Sequence, residues 1–154
     1  MADREGRLTF CFDHNLGQQM SALLGRARAQ AHDRITDFHK LNIPSDAPDE
    51  NWMATLGTLG RFAVITRDGK ILQAATRRIA WRKSGITLFL LAERWGELKL
   101  HDLFRGLIFW WPAIVQHADA AAAGTAWTVS PKVPHWDKGG IHQVRPPEDT
   151  GPVA

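Results

Sequence analysis

Five carboxylates, Asp13, Asp37, Asp49, Glu50 and Asp68, stand at positions from which they could bind a cation. Each acid closes an apolar run or opens a helical one. Asp13 follows Leu8-Thr9-Phe10-Cys11-Phe12, which reads as a buried strand; carboxylates are among the side chains least often buried without a partner. Asn15, two positions on, could add a neutral oxygen or hold a carboxylate in place. Asp37 ends a second short run, Arg34 to Phe38, and Asp68 follows the clearest strand, Phe62-Ala63-Val64-Ile65-Thr66. In an open α/β sheet, ligands bind beyond the carboxyl ends of the strands, and all of these acids map to one such rim. Crowded carboxylates repel and take up protons unless a cation neutralises them. An oxygen-only site without Cys or clustered His suits a hard ion, Mg²⁺ or Mn²⁺. Such an ion can activate water and stabilise charge developing on a phosphate.

Each acid also has a plainer reading. Asp49 and Glu50 stand where acids favour a helix N-terminus through its dipole, and Asp46-x-x-Asp49 resembles a cap. For Glu50 that reading comes first; for Asp49 the two stand level. Asp68, within Arg67-Asp68-Gly69-Lys70, suits an ordinary turn, and Asp37 suits a solvated strand end. Asp13 is hardest to dismiss, between five residues of strand pattern and a helix.

Basic residues gather beside the acids. Arg67 and Lys70 flank Asp68, and Arg77, Arg78, Arg82 and Lys83 follow on the next helix. A nucleic-acid backbone held there would lie near the carboxylates, since phosphate contacts carry affinity without sequence choice. The alternative is a solvated helix face. Net charge is +3 and the pI about 9.4, a mild basic excess. The seven histidines are scattered, and none makes a metal-ligand spacing with another; His14, beside Asp13, reads as a loop residue.

The elements that position these residues alternate. Apolar Leu16, Met20, Leu23, Leu24 and Ala27 recur at helical spacing. A loop from His39 to Pro48 leads to a helix opening near Asp49, with Trp52, Met53, Leu56 and Leu59 on its apolar face. A third helix places Leu72, Ala75 and Ile79 inward and its basic residues outward, and Gly85 stops it. Ile86 to Leu91 is a fourth strand. A long helix carries Leu100, Leu103, Phe104, Leu107, Ile108, Trp111, Ile114 and Val115, with Pro112 expected to kink it. Thr125 to Val129 closes the series. This alternation predicts an α/β fold, a mostly parallel sheet of four or five strands covered by helices on both faces. One domain spans residues 1–130. Residues 131–154, rich in Pro, Gly and charge, read as a mobile tail. The 154 residues suffice for a proper core. The single cysteine, Cys11, excludes a disulfide framework and reads as a small buried apolar residue. MADREGR lacks the layout of a secretory signal, and no apolar run is long enough to cross a bilayer. A cytoplasmic protein with no membrane association is expected.

Strand-FDHNLG-helix, APDENW opening a helix, and FAVITRDGKI, in that order over roughly residues 8 to 130, resemble the PIN-like nuclease domains, especially the toxins of toxin–antitoxin pairs. The resemblance implies a three-layer α/β/α sandwich with acids binding Mg²⁺ or Mn²⁺. It implies Asp13, Asp49 and Asp68 as metal ligands and catalytic residues, with Asp37 and Glu50 as lesser candidates and Asn15 in support. RNA is the implied substrate and a small antitoxin protein the partner; a homodimer is expected. The pattern departs from the family after Asp68, where no fourth acid stands out, since Asp102 only opens a helix. That departure motivates an alternative, a non-catalytic PIN-like module that binds RNA. A phosphoacceptor signalling domain ranks last, because its early acidic pair is missing and Lys70 follows an aspartate.

Overall fold

The computed structural model describes residues 7–14, 16–132 and 135–149. Strand β1 (Thr9–Phe12) leads into helix α1 (Gly17–Arg26), and a single 3-10 turn precedes β2 (Ile35–Asp37). Then come α2 (Asp49–Leu59), β3 (Phe62–Thr66), α3 (Ala75–Ser84) and β4 (Thr87–Leu91). A second 3-10 segment precedes α4 (Leu100–Ala120), and β5 (Ala126–Lys132) and β6 (His135–Val144) complete the sheet.

The strand order is β2-β1-β3-β4-β5-β6. The first five strands are parallel, with Phe12 opposite both Asp37 and Ile65. β6 alone runs antiparallel, paired with β5. Parallel strands bury both faces, and β1, β3 and β4 are buried at every position. Alternate side chains therefore feed two cores. Phe10, Phe12, Ile65 and Phe89 pack against Met20 and Leu24 of α1 and Leu107, Trp111 and Ile114 of α4. Cys11, Val64, Leu88 and Leu90 face Trp52, Met53 and Leu56 of α2 and Trp81 of α3. Each fully buried phenylalanine contributes about 1.5–3 kcal/mol relative to its exposed state. The result is the expected α/β/α sandwich.

Three expectations need correction. The sheet has six strands rather than four or five. Residues 131–132 and 135–144, expected in a tail, finish β5 and form β6; the ladder runs from Ala126 opposite Val144 to Pro131 opposite Gly139. Helix α3 starts at Ala75, not near Leu72, which changes its phase. Ile71 and Leu72 are buried ahead of it, Trp81 is its buried residue and Ile79 is 51% exposed. Helix α4 continues through Pro112 as one 21-residue element. Trp110 and Trp111 are buried along it, while Leu100, Ile108 and Phe109 are exposed.

Candidate functional site

The parallel strands end on one rim, as the alternation of elements requires, and the acids take different roles there. Asp13 follows the last residue of β1 and is buried at 7% exposure. Its backbone carbonyl accepts from the Leu16 and Gly17 amides, and its Oδ1 accepts from the Leu16 amide at 3.3 Å. The carboxylate thus helps turn the chain from β1 into α1. Asn15 lies outside the described residues.

Asp37 is not a solvated strand end. It is 1% exposed, because β2 packs beside β1 under α1. Burial of a carboxylate demands hydrogen bonds, and they are present. Ser21 Oγ donates to Oδ2 at 2.8 Å and the Lys40 amide donates to Oδ1 at 2.8 Å. Lys40 Nζ stands 3.9 Å from Oδ2 and donates to Ser21 Oγ. Asp37 and Asp13 both act on the intervening Cys11. Burial pushes its thiol far above the ordinary range, and the two negative charges, Asp37 first, push it further. Cys11 is therefore a protonated, inert core residue, as expected.

Asp49 opens α2 and faces the start of α3. Trp52 Nε1 donates to its Oδ1 at 2.9 Å, and Arg77 Nη1 lies 3.7 Å from Oδ2. Glu50 Oε1 accepts from Thr76 Oγ1 at 3.1 Å. Asp68 forms a side-chain turn: its Oδ1 accepts from the Lys70 amide at 3.0 Å, while its own amide donates to the buried Thr66 hydroxyl. His14 Nε2 donates to the Ile43 carbonyl at 2.9 Å and its ring meets Phe38 edge-on. It pins the loop between β2 and α2.

The rim is shared, but the carboxylates do not converge. Among the described residues, no three His, Cys, Asp or Glu side chains stand close enough to hold a metal ion. The reason is local: Asp37 is enclosed by Ser21 and Lys40, and Asp49 faces a guanidinium. As placed, these acids do not fit a three-carboxylate metal cage.

The basic residues also have internal partners. Arg77 Nη2 donates to the Lys70 carbonyl at 3.2 Å, which ties the Asp68 turn to α3 beside Asp49. Arg78 is not outward; its side chain is 13% exposed and donates from Nη1 to the Leu72 and Gln73 carbonyls. From Nε and Nη2 it donates to the carboxylate of Asp149, which Arg82 Nη1 also reaches at 3.1 Å. The Arg82 side chain is 35% exposed and Lys83 is exposed. Residues missed in the sequence are thus Ser21, Thr66 and Asp149. Ser21 carried a signal, a small polar residue beside the apolar positions Met20 and Leu24. Asp149 carried none, lying 71 positions beyond Arg78.

A family model described as a PIN like domain matches residues 8–93. That stretch runs from the start of β1 past β4 and contains Asp13, Asp37, Asp49, Glu50 and Asp68. No curated protein and no solved structure matches the chain.

Proposed function

The chain belongs to the PIN-like domain family, and from that premise we propose that it is a ribonuclease hydrolysing RNA phosphodiester bonds. Domains of this family are in general metal-dependent nucleases. The observation that carries the reading is Asp13, a buried carboxylate at the carboxyl end of β1, within the matched stretch and on the rim it shares with the Asp68 turn. In the reaction, water oxygen bonds to phosphorus as one ester P–O bond breaks, and the leaving oxygen takes a proton. Asp13 and Asp68 are the carboxylates proposed to orient that water and accept its proton. Asp49 is the third member, once freed from Arg77. Mg²⁺ or Mn²⁺ belongs to the proposal through the family, and oxygen donors suit such an ion; as they stand, the three acids form no cage for it. Arg67, Lys70, Arg77 and Lys83 are proposed to hold the RNA backbone.

The proposal extends to a cytoplasmic toxin neutralised by a small antitoxin protein. The likeness of FDHNLG, APDENW and FAVITRDGKI to that branch supports it. A homodimer through α4 is supported by the exposed Ile108 and Phe109. Among the described residues no helix is long and apolar enough to cross a membrane.

Asp13→Asn and Asp68→Asn test the catalytic assignment. Asparagine keeps an oxygen acceptor for the Leu16 or Lys70 amide, so the fold should persist. Cleavage is expected to fall by about a hundredfold or more, the usual worth of a positioned acid or base. Wild-type cleavage by both variants would overturn the assignment.

One observation favours a second reading. The Arg77–Asp49 contact and the separated acids suit a non-catalytic module that binds RNA. It predicts affinity falling steeply with salt and no turnover with any divalent ion.

A further inference from the structure

The residues after β6 return to the body of the protein and lie against α3. Arg82 Nη2 donates to the Pro146 and Pro147 carbonyls at 3.2 and 3.0 Å. Two residues on, Asp149 inserts its carboxylate between two guanidiniums. Arg78 grips it from Nη2 at 2.8 Å and from Nε at 3.2 Å, and Arg82 Nη1 completes the clamp. Hydrogen bonding from Arg78, then the charges of both arginines, hold the Asp149 carboxyl below its ordinary value. Paired N–H donors in a planar fork match carboxylate and phosphate equally well. Two such forks on one carboxylate leave one positive charge in excess, whereas a phosphodiester offers oxygens from more than one residue.

The Arg78 half of the clamp does not depend on its occupant. Arg78 is anchored on its far side by the Leu72 and Gln73 carbonyls, so its guanidinium stays oriented without Asp149. The covering segment, residues 145–149, has no regular secondary structure. Pro146 and Pro147 have no backbone N–H with which to join a ladder. The segment is held to α3 by the Asp149 carboxylate and the two proline carbonyls rather than by a backbone ladder, so a competing anion can displace it without breaking the sheet. The basic surface continues on either side: Lys83 is exposed on the last turn of α3, and Arg77 with Lys70 leads to the Asp68 turn.

We propose that Arg78 and Arg82 form a phosphate-backbone site for single-stranded RNA, which residues 145–149 cover, with the Asp149 carboxylate standing where the phosphate oxygens bind. This deepens the ribonuclease reading and rests on its RNA partner. RNA and the covering segment compete, so the segment lowers the apparent affinity by the fraction of molecules in which it is open.

The test uses the full chain and fluorescence anisotropy with a labelled oligouridylate, in chelator so that nothing is cut. Asp149→Asn is expected to tighten binding by about threefold or more. It is also expected to steepen the dependence of log Kd on log salt by about 1.4, the contribution of two further phosphates on a single strand. Adding Arg78→Ala should remove both gains. Binding by Asp149→Asn that is unchanged or weaker overturns the proposal and makes Asp149 a brace. A measurement on the wild type guards against an unstable variant: saturating oligouridylate should move the Glu148 and Asp149 amide NMR resonances to random-coil positions, and unmoved resonances overturn the proposal too. Cleavage is read separately, so a failed nuclease and a failed clamp give different results.

Discussion

Asp13 and Asp37 stand at the ends of the neighbouring strands β1 and β2, yet the environment of Asp37 could not be anticipated. The enclosure of Asp37 by Ser21 and Lys40 depends on a donor sixteen positions earlier on another element. No local pattern encodes that pairing; it exists because α1 packs over the β1–β2 pair. Removing the Ser21 hydroxyl would leave a buried carboxylate oxygen short of a donor, which costs about 1–3 kcal/mol. Ser21→Ala should therefore lower the urea midpoint without changing the slope, and an unchanged midpoint would show that Lys40 alone suffices. The tryptophans make the same point. Trp81, Trp95 and Trp111 are buried, and each indole N–H donates to a distant or local carbonyl, of Ile86, Val129 and Gln30 respectively. Buried indoles need such a partner, and here they cross-link helices and sheet by both packing and hydrogen bond.

At the scale of elements, β1, β3 and β4 were legible because each is a continuous apolar run bounded by polar residues, as a central parallel strand must be. β6 was not. Pro131 and the Gly139–Gly140 pair resemble a flexible segment, but both mark an irregular edge hairpin. The register shifts at Pro131/Lys132, and Gly139 takes φ +122° there. A Cβ on Gly139 would overlap the Ser130 carbonyl and lie 2.6 Å from Pro131 Cα. Proline and glycine belong at bulges and edges rather than within central strands. Gly139→Ala is expected to destabilise the protein by at least about 1–3 kcal/mol, the cost of backbone strain alone; thermal unfolding indistinguishable from wild type would show that the edge adjusts freely. The phase of α3 misled for a related reason. Ile71 and Leu72 are buried before the helix begins, so counting from Leu72 placed Ile79 inside. Arg78 instead lies partly buried, its stem covered and its head fixed by carbonyls.

Across the whole molecule, the order of strands and helices carried the fold, while the site depended on side-chain partners that only packing reveals. Parallel topology brings the acids to one rim whatever their side chains do, so the rim was foreseeable. Their partners were not, since Ser21 and Lys40 reach Asp37, and Arg77 reaches Asp49, only through packing. The same distinction holds for the basic helix: its charges are evident in the sequence, and their engagement by Asp149 requires β6 to turn the chain back over α3. Both features describe a nuclease-family scaffold whose acids and arginines are held by internal partners. Most directly, its proposed activity is tested by incubating purified, folded protein with total and transfer RNA in Mn²⁺, in Mg²⁺ and in chelator. Cleavage with an ion and none in chelator is the expected result. RNA left intact under every condition would contradict it and leave the binding module as the function of this chain.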